Sequence, residues 1–158
     1  MMRQPGDAGV DRGLEVRRAI FGEQLVHQNY TNANDFQRPI QDWIAGAVWA
    51  DVWSRPGLDR RTRSLVTLGI LIALNRPVEF DSHVGAALVN GCTVEDIQEL
   101  MLHSAAYCGA PAAMSAFRQA EQVLREKNAY APEDAAGNTA GNTAQDTAGS
   151  DAAPAASA

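Results

Sequence analysis

The run LVTLGILIAL, residues 65–74, carries no charge and must be kept from water over most of its surface. Two elements satisfy that demand: a strand buried inside a sheet, or a helix at the centre of a helical bundle. Asp59 stands just ahead as an N-cap, and Arg60, Arg61 and Arg63 fill the first turns, so capping and length favour the helix. Such a helix needs others to cover it. Upstream, Leu14, Ile20, Phe21, Leu25 and Val26 recur at helical spacing after a candidate cap at Asp11, which gives a first helix ending at the polar loop NYTNAND. Phe36, Ile40, Trp43, Ile44, Ala47 and Val48 form a second stripe that continues to Trp49 and Trp53 before SRPGLD breaks it.

Downstream, Pro77 suits the first position of a fourth helix ending at Asn90, with Gly91 beyond it. Thr93 and Asp96 form a capping pair for a fifth helix through Ile97, Leu100, Met101, Ser104 and Cys108, stopped by Gly109. Pro111 opens a sixth, with Met114, Phe117 and Leu124 inward. Nowhere do β-branched and aromatic residues alternate with polar ones over a useful length, so the expected fold is all-α with six helices. The expected organisation is a flexible N-terminus at 1–12, one helical domain at 13–128 and an unstructured tail at 129–158. The near-repeat AGNTAGNTAQDTAG in that tail has too little apolar surface to offset the cost of ordering.

A formal net charge of -6 gives no basic footprint for nucleic acid or an anionic membrane. No apolar run approaches bilayer length, and the first residues lack the apolar core of a signal peptide, so a cytoplasmic location is expected. Cys92 and Cys108 lack a Cys-x-x-Cys spacing; reduced, mostly buried thiols are expected, not a zinc knuckle or redox dithiol. Small molecules and other proteins remain as partners. The third helix is apolar around most of its circumference, as a helix at a subunit contact would be, which favours a homo-oligomer.

Glu79 and His83 are four residues apart and share a helix face, so they can approach as a pair. A carboxylate beside an imidazole raises its pKa and fixes its tautomer, which makes a proton donor; the plainer alternative is an exposed salt bridge. Gly85, Ala86 and Ala87 follow and leave room for a ligand. Two ligands do not make a metal site, and His27 and His103 have no spacing that completes one. His103 reads as a satisfied core histidine. Arg55, Arg60, Arg61 and Arg63 crowd a helix N-terminus, where the macrodipole disfavours cations, so either a carboxylate ligand or a solvated face accounts for them. Trp43, Trp49 and Trp53 read first as core or interface.

The motifs RPGLDRRTRSL, ALNR, H-V-x-A-A-L-x-N-G and Y-C-G-x-P-A-A, in order along residues 52–124, resemble the gamma-carboxymuconolactone decarboxylase family, and NANDFQRPIQDWI extends the resemblance upstream. It implies the alkylhydroperoxidase D-like fold, a ring-like homo-oligomer, commonly a hexamer, and decarboxylation of 4-carboxymuconolactone to beta-ketoadipate enol-lactone in protocatechuate catabolism, with no metal or organic cofactor. Redox relatives place the second cysteine of a Cys-x-x-Cys where this chain has Glu79. Decarboxylase relatives often carry Arg where this chain has Gly85 and an acidic residue where it has Val78.

In that chemistry the substrate's own lactone accepts the electrons released with CO2. His83, as imidazolium, is then the expected proton donor, and Glu79 orients it. Arg61 or Arg63 is expected on the acetate arm, since an arginine locked onto the departing carboxylate would stabilise the ground state. Trp49 and Trp53 are expected in the apolar wall. The alternatives are a thiol-dependent peroxide reductase and an inactive binding or assembly module on the same scaffold.

Overall fold

Gly22, at a φ of 83°, divides the first expected helix in two, because that left-handed conformation ends α1 (Ala8–Phe21) and starts α2 (Glu23–Val26). The computed structural model describes residues 6–131, so nearly all of the expected tail lies outside the described residues. Asp7, not Asp11, caps α1 by accepting from the backbone N–H of Gly9 at 2.9 Å, and the helix therefore includes residues expected to be flexible. α2 passes into a π-helical turn, His27–Thr31.

α3 (Arg38–Trp43) likewise continues into a π-helical segment, Ile44–Trp53, so the second expected helix is wound in two ways. α4 (Arg60–Ala73) holds the apolar run, and Asp59 caps it by accepting from Thr62 N–H at 2.8 Å. α5 (Pro77–Val89) starts on its proline as expected. α6 (Val94–Cys108) opens on a complete capping box of Thr93 and Asp96. Gly109 (φ 84°) both ends α6 and precedes α7 (Ala110–Glu126). Among the described residues all regular structure is helical, with seven α-helices where six were expected.

α4 to α7 close around Leu68, Ile72, Phe80, Val84, Ile97 and Met101, with Ala116 and Ala120 of α7 letting that helix approach closely. A second core joins Val10 and Leu14 of α1 to Val26, Tyr30 and Ala45. Here Gly13 meets the π-helical segment so closely that an added Cβ would lie 1.8 Å from the carbonyl oxygen of Ala45. The Tyr30 hydroxyl donates to Asp42 Oδ1 at 2.7 Å, satisfying both polar groups in the interior. A third core, Ile20, Trp49, Trp53 and Ala86, lies on the seam between the two packing layers.

Several side chains expected inward face solvent. Phe36 is 93% exposed, Met114 is exposed, and His103 lies on the surface against Tyr107, so it is not a core histidine. These belong to helix faces that no neighbouring helix of the subunit covers. On α4 and its C-cap, Val66, Ile70 and Leu74 recur every fourth residue and are 51%, 51% and 62% exposed, in line with the apolar circumference expected of this helix. Among the described residues no helix is long and apolar enough to cross a membrane.

Candidate active site

His83 follows Phe80 on α5 by almost one turn, beside the buried stripe of Phe80, Val84 and Ala87. It therefore turns toward α1 and the π-helical segment. Phe21 and the imidazole form a T-shaped pair at 5.1 Å between centroids and 89° between planes; Trp53 lies at 6.4 Å and 39°. Trp49 completes the wall, 5.4 Å from Phe21 and 5.0 Å from Trp53. Three elements thus bring together the predicted His83, Trp49 and Trp53, with Phe21, which sequence patterning assigns only to the core. Two buried polar atoms among these rings, His83 Nδ1 and Trp49 Nε1, have no hydrogen-bond partner in the subunit.

This shell sets the charge of the imidazole. Burial lowers the pKa of His83 to about 4, outweighing the attraction of Glu79, and the charge of Arg17 lowers it further. These surroundings hold the ring neutral at pH 7, where the Glu79 spacing predicts an imidazolium. Glu79 itself is exposed and makes no hydrogen bond to His83; it acts on the imidazole only through space. The physical reason is competition: His83 gains more by packing between aromatic rings than by turning out to a carboxylate that is already well hydrated.

The two expected arginines go elsewhere. Arg61 grips Asp96 at the start of α6, with Nε donating to Oδ2 at 3.0 Å and Nη2 to Oδ1. Arg63 donates to the carbonyls of Leu58 at 3.2 Å and Arg55 at 3.0 Å, fastening the loop before α4. Anionic and carbonyl partners from outside α4 thus explain why cations sit at its unfavourable end. The arginine whose charge reaches His83 is Arg17 of α1, and its Nη1 donates to Gln41 Oε1 at 2.9 Å. Sequence patterning did not single it out. The available signal was a charged residue midway between Gly13 and Phe21 on the inward face of α1.

At Gly85 an added Cβ would stand 3.4 Å from Lys127 Cε, so the absence of a side chain leaves room for the Lys127 stem to lie across α5. A cleft of about 900 Å³ runs past Gly85 between α1, α5 and α7 and shares Phe21 with the ring wall and Ile20 and Ala86 with the third core. A second, about 470 Å³, lies by Arg76 and Cys108. Neither counts His83 among its lining residues. Both thiols are free. Cys92 is buried, donates to the Arg61 carbonyl at 3.6 Å, and has its pKa raised by burial, which disfavours a thiolate. Among the described residues no three His, Cys, Asp or Glu side chains converge as a metal site.

Fold and site together define a helical protein whose candidate active site is centred on a histidine and not on a thiol pair. Residues 38–122 match the carboxymuconolactone decarboxylase family, and the chain belongs to it. It is 44% identical over 122 residues to the 4-carboxymuconolactone decarboxylase of Acinetobacter baylyi, covering 77% of this chain and 90% of that protein. It is also 39% identical over 116 residues to the nitrosuccinic acid decarboxylase of Metarhizium robertsii, covering 73% and 81% respectively.

Proposed function

We propose that this protein decarboxylates 4-carboxymuconolactone to beta-ketoadipate enol-lactone, with His83 as the proton donor. The substrate carries its departing carboxylate and a CH2–COO⁻ arm on the same ring carbon. Breaking the bond to the carboxylate releases CO2 and sends the electron pair through the ring double bond into the lactone carbonyl, leaving an oxyfuran-type anion. A proton delivered to the carbon next to that carbonyl completes the product. The protein's work is to orient the ring, exclude water and place that proton.

The supporting observation is the aromatic enclosure of His83. Nδ1 is sealed from solvent, which leaves Nε2 as the nitrogen able to face a ligand. The wall of Phe21, Trp49 and Trp53 opposes charge on the imidazole, and a bound dicarboxylate supplies the negative field that draws a proton onto the ring. The same apolar wall favours conversion of a carboxylate into neutral CO2. Glu79 adds a weaker attraction from the surface. The direct test is CO2 release from 4-carboxymuconolactone. His83→Gln should slow turnover by about 100-fold or more with the fold intact; near-normal turnover would remove His83 from the mechanism.

The second relative points to a broader substrate rule. Nitrosuccinic acid also bears a carboxylate and a CH2–COO⁻ arm on one carbon, with a nitro group in place of the lactone as electron acceptor. This chain should therefore bind nitrosuccinate competitively with the lactone. Thiol chemistry is disfavoured by the position and pKa direction of Cys92. The proposal includes a cytoplasmic location and a homo-oligomer, a hexamer by family resemblance, which the half-exposed apolar row on α4 supports.

A further inference from the structure

We infer that Arg17, held by Gln41 at the edge of the aromatic wall, binds the CH2–COO⁻ arm of the substrate; this rests on the decarboxylase reading above. Arg17 lies four residues after Gly13 and four before Phe21, so all three share the inward face of α1. That face is fixed in position, because Gly13 packs directly on the Ala45 carbonyl. Arg17 is half-buried, and among the described residues its one hydrogen bond is to a neutral acceptor, Gln41 Oε1. Gln41 orients the guanidinium without neutralising it, and four of its five N–H donors are uncommitted among the described residues.

Arg12, Arg18, Arg61 and Arg125 each pair with a carboxylate, and Arg38 and Arg63 are held by backbone carbonyls. Among the described residues Arg17 has no such partner, and burial lowers its pKa. A partly desolvated cation without a counter-ion is an unfavourable arrangement that an entering carboxylate relieves. Phe21, four residues after Arg17 on the same face of α1, touches the imidazole of His83, and the charge of Arg17 reaches that ring. Trp49 Nε1, buried beside the imidazole without a hydrogen-bond partner among the described residues, is a second, independent mark of a wall whose polar groups the subunit leaves unsatisfied. Arg17 takes the arm because a grip on the departing carboxylate would be lost as CO2 forms and would hold back the reaction.

The test uses the full chain with Arg17→Gln and Arg17→Lys, followed by steady-state kinetics on 4-carboxymuconolactone and calorimetric binding of furan-2-acetate, a planar five-membered ring with the same arm. Arg17→Gln should raise KM by about 30-fold or more, leave kcat within about fivefold and abolish furan-2-acetate binding. Arg17→Lys should recover part of both, while His83→Gln should lower kcat and still bind furan-2-acetate. Unchanged KM in Arg17→Gln, or furan-2-acetate binding that does not need Arg17, overturns the inference. So does a parallel rise of kcat and KM, which would put Arg17 on the departing carboxylate. Absence of CO2 release by the unmodified chain refutes the decarboxylase reading instead, a result distinct from any of these.

Discussion

His83 changes the pH dependence of the whole fold because its pKa falls from the ordinary 6.5 to about 4 on burial. The unfolded chain binds the proton more readily, so the stability this neutral histidine supports is fully present above pH 6.5 and is lost as pH falls toward 4. The loss is about 3 kcal/mol at most. Urea unfolding of His83→Phe should lack this part of the slope between neutral and acid pH. The neighbours have opposite signs: Glu79→Gln should lower the titration midpoint of His83 and Arg17→Gln should raise it, measurable by NMR of the imidazole protons. Sequence spacing located His83 because it stands four residues after Glu79 and is followed by the small residues Gly85, Ala86 and Ala87. It misjudged the charge because the competition between aromatic packing and a surface carboxylate is settled in three dimensions. Arg17 escaped for the same reason: its significance comes from what fails to pair with it.

Element boundaries were written locally and were legible where a side chain acts on its own backbone. Asp59, Pro77 and the Thr93–Asp96 box mark helix starts, and Gly91 and Gly109 mark ends. The π-helical winding of Ile44–Trp53 has no comparable local sign, and Gly22 reads as an ordinary helix residue until its positive φ is seen. The crossing of α1 over that segment depends on Gly13. Gly13→Ala would drive a methyl into the backbone of Ala45, which has no rotamer to give. It should destabilise the protein by about 2 kcal/mol or more and lower the melting temperature by several degrees, read by circular dichroism. Since α1 also carries Arg17 and Phe21, activity should fall further than the loss of folded protein explains.

For the whole molecule, the all-helical class was legible because helical periodicity and capping agreed along the chain, while the seam between the two packing layers was not, since it joins residues far apart in sequence. The proposed assembly makes its own demand: Ile70→Asp, in the middle of the exposed row on α4, should shift the sedimentation coefficient toward that of a single subunit while leaving helix content unchanged. The seam has one more consequence. Phe21, Trp49 and Trp53 precede the exposed loop 54–59, and His83 follows it. A nick in that loop would therefore sort the aromatic wall and the imidazole into different polypeptides. Neither fragment should turn over substrate by itself, and activity regained on mixing would report, through catalysis, that the two pieces had recognised each other.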